Sequence, residues 1–158
     1  MILVTVGMHP GGFERLVKEM DKIASKVSEE VIMQIGASKY IPETAKYFTF
    51  ASQQEIKELC RKARVVVTHG GVGTILDVLQ EGTPAVIVPR LKECGEVIDN
   101  HQLHLVHELE KQGKVVAVYD VKGLEEALRT VEMKPPPFAK DKRLVNALKR
   151  YIAQFELS

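Results

Sequence analysis

The chain has 158 residues, and 45% of them are hydrophobic, which is enough for one domain with a substantial core. Its 22 basic and 21 acidic residues leave a formal net charge of +1, so the composition does not support a nucleic-acid-binding surface. The sequence has no apolar stretch of the roughly 20 residues that span a bilayer, and it starts without the basic region of a signal peptide. The two isolated cysteines, Cys60 and Cys94, fit a reducing compartment. We therefore expect a soluble, cytoplasmic protein, and any membrane contact must come through a partner or through the surface of the chain.

Short β-branched runs alternate with longer amphipathic stretches along the chain. This pattern predicts βαβ units and an α/β fold, with a parallel sheet covered by helices on both faces. The predicted strands are residues 2–6, 31–35, 47–50, 65–68, 85–88 and 115–118. A helix follows the GMHPGG loop, with apolar positions from Phe13 to Ile23. A second helix starts at Ser52, where Glu55 completes a capping box.

The second half of the chain continues the same alternation. One helix follows the glycine turn after residue 68 and ends at Gly82, and another ends at Gly113. A short helix is predicted over residues 124–131. Three consecutive prolines, 135–137, then break the chain before a last amphipathic helix over residues 138–157.

The turn between the strand 65–68 and the following helix carries the strongest functional signal. The segment His69-Gly70-Gly71-Val72-Gly73-Thr74 lets the backbone approach a ligand closely, and the first amides of the helix favour an anion such as a diphosphate. It is neither a Walker loop nor a dinucleotide fingerprint, because no Gly-Lys-Ser/Thr follows and Leu76 replaces the third glycine. Asp77 lies one turn into the helix, where its carboxylate would accept hydrogen bonds from a ribose. The alternative is that the glycines only form a tight turn and Asp77 complements the helix dipole.

A longer pattern surrounds this turn. The stretch VVVTHGGVGTILDVLQEGTPAVIVPR, followed by DNHQLHLVHELEKQGKVV, resembles the carboxy-terminal domain of glycosyltransferase family 28. The segments VTVGMHPGGFERLV and VIMQIGAS resemble its short stand-alone members, which act in dolichol-linked glycan and bacterial polysaccharide assembly. The resemblance implies a Rossmann-like domain, the C-terminal half of a GT-B glycosyltransferase, in which residues 1–134 bind the nucleotide-sugar donor.

The resemblance also assigns roles to individual residues. Gly70, Gly71, Gly73 and Thr74 would hold the donor diphosphate, Asp77 the ribose, Phe50 the uracil, and His101 with Gln102 the sugar and phosphate. Gly7, His9 and Gly12 match positions that face the cleft. Two departures are Met8, where relatives commonly carry a small hydroxyl residue, and Asp77, where many full-length relatives carry glutamate.

The implied activity is an inverting transfer of a hexose or N-acetylhexosamine from a UDP-sugar, with UDP-N-acetylglucosamine as the first choice of donor. No metal and no cofactor are expected. A lipid-linked glycan acceptor would be held by a separate, membrane-attached, acceptor-binding glycosyltransferase subunit. The terminal segment 135–158 would dock that partner, or it is an ordinary helix packed on its own sheet. The loop 90–100 would help to select the sugar.

The histidines leave alternatives open. His9 is a candidate general base, because imidazole titrates near working pH. The alternatives are that it hydrogen-bonds its own turn, or that the acceptor-binding half supplies the base. His101, His104 and His107 are spaced i, i+3 and i+6, which is not the usual helical zinc spacing, and no cysteine motif assists them. At the level of function, the alternative is a non-catalytic nucleotide-sugar-binding or regulatory module.

Overall fold

Up to residue 131, six short strands and five helices follow one another among the described residues. The computed structural model describes residues 1–97 and 101–131 and positions 146, 147, 149, 150 and 153, but not the side chain of His101. The strands are β1 Ile2–Thr5, β2 Val31–Gln34, β3 Lys46–Phe48, β4 Val65–Thr68, β5 Ala85–Ile87 and β6 Val116–Ala117. The helices are α1 Glu14–Ala24, α2 Gln53–Lys62, α3 Val72–Gln80, α4 His101–Lys111 and α5 Leu124–Thr130.

The strands form one parallel sheet in the order β3-β2-β1-β4-β5-β6. Because all strands point the same way, every strand-to-helix loop emerges at the same edge of the sheet. The order reverses between β1 and β4, and in sheets of this kind ligands bind beyond the carboxyl ends of the strands at such a switch point. The predicted Rossmann-like α/β class is confirmed, and its topology brings the loops after β1 and β4 together.

Helices cover both faces of the sheet. The core on one face joins apolar side chains of α1 and α5 to alternate residues of the central strands, including Val4 and Val67. The core on the other face joins α2, α3 and α4 to the intervening residues, such as Leu3 and Val66. Strands buried on both faces need continuous apolar runs, and β1 and β4 are buried at every position.

Most predicted elements are present with small shifts at their ends. The edge strand β3 is shorter than the predicted 47–50 and begins one residue earlier. The capping box of α2 is confirmed, since Ser52 Oγ accepts from the Glu55 N–H and the Glu55 carboxylate accepts from the Ser52 N–H. Of the predicted terminal helix, residues 146, 147, 149, 150 and 153 are helical, and the rest of 135–158 lies outside the described residues. Within the described part of the chain, no helix is long and apolar enough to cross a bilayer.

A buried carboxylate fixes the loop that connects β2 to β3. Asp21 on α1 accepts hydrogen bonds from the Tyr40 hydroxyl and from the N–H groups of Glu43, Thr44 and Ala45, at 2.7 to 3.0 Å. Burial raises the pKa of Asp21, but these hydrogen bonds together outweigh it and hold the pKa below its ordinary value. The charged form of Asp21 therefore stabilises the fold.

We expect Asp21→Asn to lower the free energy of unfolding by about 2 kcal/mol at pH 7, because either orientation of the amide sets an NH₂ group against a backbone N–H. Urea unfolding measures the effect. Lys22→Ala, on the exposed side of the same helix, is the control and should change stability by less than about 0.5 kcal/mol.

The depressed pKa of Asp21 should make the free energy of unfolding depend on pH. Since the folded pKa is depressed, the stabilisation is complete above the unfolded pKa of about 3.9 and is lost as the pH falls from there through the folded value. The stability difference between wild type and Asp21→Asn should shrink over that range. A difference that stays constant down to pH 2 would contradict this assignment.

Candidate functional site

The turn from β4 into α3 presents backbone amides at the carboxyl edge of the sheet. Gly71 caps α3, and the first intrahelical bond runs from the Ile75 N–H to the Gly71 carbonyl at 3.0 Å. The N–H groups of Val72, Gly73 and Thr74 precede that bond, so the helix itself does not satisfy them. Such an amino end attracts an anion.

The His69 side chain contacts two residues of this turn. Its Nδ1 accepts the Gly71 N–H at 3.0 Å, and its Nε2 lies 3.5 Å from the Thr74 hydroxyl. Burial, and then the nearby charges of Arg90 and His9, lower the pKa of His69 to about 4. The ring is therefore neutral near pH 7, with its proton on Nε2. Because the Gly71 N–H is hydrogen-bonded to His69, the N–H groups that can bind an anion are those of the next three residues.

The loop after β1 is held by Gln34, which sequence reasoning did not single out. The Gln34 Oε1 accepts from the Thr5 hydroxyl and from the N–H groups of Val6 and Gly7, while Nε2 donates to the carbonyls of Gly7 and Thr49. Gly7 has a φ of +73°, and a Cβ there would lie 2.6 Å from His69 Nε2. Both the backbone conformation and the contact require glycine.

A cavity of about 240 Å³ opens between this loop and α2 and α3. It is lined by Thr5, Gly7, Met8, Gln34, Ala51, Gln53, Ile56, Thr74 and Asp77. The Gln53 amide donates to both carboxylate oxygens of Asp77, at 3.1 and 2.9 Å, and Lys57 Nζ lies 3.5 Å from Oδ1. The predicted residues Gly7, Thr74 and Asp77 are thus brought to one cavity, with the Asp77 carboxylate oriented by two side chains of α2.

A second cavity of about 310 Å³ lies on the other side of the same loop. His9 lines it, together with Gly12, Arg15, Cys94 and Glu96 among others. The Nδ1 of His9 accepts the Gly11 N–H at 3.0 Å, so the neutral imidazole carries its proton on Nε2. His9 therefore faces a different cavity from Asp77, and it hydrogen-bonds its own turn.

Comparison with known proteins agrees with this geometry. The profile of the glycosyltransferase family 28 C-terminal domain matches residues 1–155. The chain belongs to this family. The human UDP-N-acetylglucosamine transferase subunit ALG13 is 32% identical over an alignment 123 residues long, which covers 71% of this chain and 10% of the human protein. The chain thus spans only a small part of that relative.

Solved structures support the family 28 fold. An NMR structure of ALG13 superposes with a TM-score of 0.63 at 19% identity, covering 93% of this chain and 94% of that one. The crystal structure of Acinetobacter baumannii MurG gives a TM-score of 0.62 at 14% identity, covering 98% of this chain and 49% of the other. The second match agrees with the prediction that this domain is the C-terminal half of a GT-B architecture.

Of the other predicted site residues of the family 28 domain, Gly12 lines the larger of these two cavities. Phe50 is 54% exposed and directly precedes Ala51 at the rim of the smaller cavity. A Cβ on Gly70 would lie 3.2 Å from Gln102 Oε1, a buried atom with no hydrogen-bond partner among the described residues. Gly12 has a φ of +65° and packs against the backbone of Ser38, while Gly73 is exposed. The side chain of His101 lies outside the described residues.

No metal centre forms among the described residues, where no group of three His, Cys, Asp or Glu side chains could hold an ion. His104 is exposed, and His107 stacks on Tyr119 with the ring centroids 5.1 Å apart. Cys60 is buried, which raises the pKa of its thiol to about 12, and Cys94 is an exposed thiol in the larger of the two cavities. The absence of a metal from the reaction stays a prediction.

A cavity of about 620 Å³ lies at the opposite edge of the sheet. Its charged side chains bond one another: Arg64 pairs with Glu29, and Lys26 pairs with Glu125. It is also remote from the glycine turn, because Arg64 directly precedes β4 whereas His69 follows it. Size alone therefore does not mark the functional site.

His69 gives a testable prediction. Its Cε1 proton resonance should not titrate between pH 8 and 5 in NMR spectra, because burial keeps the ring neutral. Since the unfolded histidine has a pKa of about 6.5 and the folded one about 4, the folded state should lose stability as the pH falls through that interval.

The matched variant is His69→Asn, whose side-chain oxygen can still accept the Gly71 N–H. Relative to this variant, the wild type should lose about 2 kcal/mol of unfolding free energy between pH 6.5 and 4. A His69 resonance that titrates near pH 6.5 would show that the ring is solvated and would contradict the assignment.

Proposed function

We propose that this chain is the donor-binding and catalytic subunit of an inverting, metal-independent glycosyltransferase that uses a UDP-sugar. One observation carries the proposal. The cavity at the switch point of the sheet combines the amino end of α3 with the oriented carboxylate of Asp77. Diphosphate and ribose are the two parts of a nucleotide donor that these groups fit.

Each part of the donor has a matching group in the proposal. The phosphates lie at the amides of Val72, Gly73 and Thr74, where the helix dipole stabilises negative charge. Asp77 accepts the ribose hydroxyls, and Gln53 stabilises the geometry of its carboxylate. Phe50 provides an exposed ring for the uracil. The Gln102 oxygen, which is buried and has no hydrogen-bond partner among the described residues, accepts a hydroxyl of the sugar.

In the proposed reaction, an acceptor hydroxyl oxygen attacks the anomeric carbon of a hexose or N-acetylhexosamine. The bond from that carbon to the phosphate oxygen breaks, and UDP leaves with the electron pair. The hydroxyl proton passes to a general base. The amides at the start of α3 stabilise the negative charge that develops on the leaving group, which is electrostatic preorganisation.

The source of the base follows from the hydrogen bonds of His9. Its Nδ1 is occupied by the Gly11 N–H, so the ring would have to release that bond before accepting a proton there. This favours a base from the acceptor-binding half of the enzyme over the predicted role of His9. The same observation supports the second candidate, a nucleotide-sugar-binding module that is inactive on its own.

The partner and acceptor belong to the proposal as well. The human relative is named as a subunit of a UDP-N-acetylglucosamine transferase, and a subunit implies at least one companion chain. We propose that a membrane-attached subunit holds a lipid-linked glycan acceptor and keeps this chain at the cytoplasmic surface of the membrane. UDP-N-acetylglucosamine is the first donor to test.

Calorimetric titration tests the donor site. Wild-type chain should bind UDP more tightly than 2′-deoxy-UDP, because Asp77 accepts hydrogen bonds from the ribose. Asp77→Asn should weaken UDP binding about tenfold, which corresponds to about 1.4 kcal/mol. In that variant the preference for UDP over 2′-deoxy-UDP should disappear, since the same contact is removed twice.

Glu81→Gln is the matched control. Glu81 caps the other end of α3, where it pairs with Arg61, and its substitution should leave UDP binding unchanged. Equal loss of affinity in both variants would indicate a general effect on α3. A preference for UDP that persists in Asp77→Asn would place the ribose elsewhere.

The partner-docking role of residues 135–158 has its own test. A chain truncated after Lys134 should keep its unfolding transition, because the described cores lie within residues 1–131. It should no longer co-purify with the co-expressed acceptor-binding subunit. Retained co-purification would show that the partner contacts the sheet domain instead.

A further inference from the structure

A buried arginine lies between the two cavities. Arg90 follows β5 and Pro89 and is only 2% exposed. Its Nη2 donates to the Val6 carbonyl at 2.9 Å, and its Nη1 donates to the Gly12 carbonyl. Its guanidinium carbon also lies 4.6 Å from the centre of the Phe13 ring. The roles proposed above make no use of this side chain.

The two carbonyls that Arg90 binds are the two ends of one loop. Val6 is the last residue before the loop 7–12, and Gly12 is its last residue. A planar guanidinium carries several N–H donors in a fixed geometry, so one arginine can bind both carbonyls at once. Lysine has a single nitrogen on a flexible stem and cannot reproduce that arrangement.

Arg90 provides hydrogen-bond partners for two buried carbonyls, but its own burial has a cost in stability. A buried charge is costly, and apolar residues of similar volume often stabilise a protein as well or better. Burial lowers the pKa of Arg90, and the opposing effect of the Glu96 charge is too small to restore the ordinary value. The Glu96 carboxylate is itself bonded to Arg15 and to the Leu91 N–H. Costly buried groups of this kind are expected at functional sites.

The partners of Glu96 extend the connection to a second loop. Arg15 on α1 binds both Glu96 oxygens at 2.9 Å and the Pro89 carbonyl at 3.0 Å. Hydrogen bonds of Arg90 thus connect the loop after β5 to the loop 7–12, and those of Arg15 connect it to α1. The loop 7–12 is a wall of both cavities: Gly7 and Met8 line the smaller one, and His9 and Gly12 line the larger one.

We propose that Arg90 is a positioning residue that holds the loop 7–12 in the shape required for donor binding. This inference rests on the donor site proposed above. Arg90 does not contact the donor. It acts through the Val6 and Gly12 carbonyls, which set where Gly7 lies against His69 and hence the width of the smaller cavity.

The test compares Arg90→Lys with Arg64→Lys. Arg64 is a matched control, because its guanidinium also binds a carbonyl, that of Leu128, and pairs with Glu29, at the opposite edge of the sheet. Two readouts are measured on the full chain well below the unfolding temperature. Hydrogen exchange of the hydrogen-bonded amides of Gly7, Gly11 and Gly12 reports the loop, and calorimetric titration with UDP reports the site.

Arg90→Lys should speed exchange in the loop 7–12 and weaken UDP binding at least tenfold, whereas Arg64→Lys should lower stability without either effect. Arg90→Ala provides a second readout, because millimolar guanidinium can fill the vacated space and should restore most of the UDP affinity. The same guanidinium concentration should not improve binding by Asp77→Asn. If Arg90→Lys folds poorly, the UDP affinity of Arg90→Ala with and without guanidinium still tests the inference.

Two results would overturn the inference while leaving the donor site intact. One is unchanged UDP affinity in Arg90→Lys, with Asp77→Asn still weakened. The other is an equal loss in Arg90→Lys and Arg64→Lys with no rescue by guanidinium. If the wild-type chain does not bind UDP at all, the donor site of this chain fails, and the inference fails with it.

Discussion

Where the chain leaves the buried strand β1, its backbone N–H and C=O groups still need hydrogen-bond partners. This requirement determines the structure of the carboxyl edge of the sheet. Buried N–H and C=O groups need partners, and a loop has no neighbouring strand to supply them. Here, side chains from the neighbouring segments do so. Gln34 from β2 binds the start of the loop, Arg90 from the β5 end binds both ends, and Ser38 Oγ accepts the Phe13 N–H at 2.8 Å.

The electrostatics of the site follow from the same arrangement. Arg90 is a fixed positive charge beneath the loop, and it helps to keep His69 neutral. A neutral His69 accepts the Gly71 N–H, and that contact holds the amino end of α3 in place. The charge that an anionic ligand meets therefore comes from aligned amides, which need little reorganisation when the ligand binds.

Much of the fold could be predicted from local pattern. The β-branched runs, the capping box at Ser52 and the glycine turn after β4 are features of short segments, and the structure has each of them near its predicted place. The family pattern also placed Gly7, Thr74 and Asp77 together, and they line one cavity. Parallel topology explains why these residues lie together, because it gathers the loops after the strands at one edge.

The residues that sequence reasoning missed act across long separations. Gln34 bonds the loop 27 residues before it, and Arg90 bonds Gly12 across 78 residues, so neither has a local signature. The contact of Gln53 with Asp77 has no local signature either, because it depends on how α2 packs beside α3. The orientation of His9 was open for a similar reason, since one hydrogen bond to Gly11 decides it.

The outer strands have a consequence for assembly. Among the described residues, the sheet ends on one side with the three residues of β3 and on the other with the two residues of β6. A strand from another chain would therefore find only a few backbone groups with which to pair. Growth by strand addition is therefore disfavoured at both borders of the described sheet.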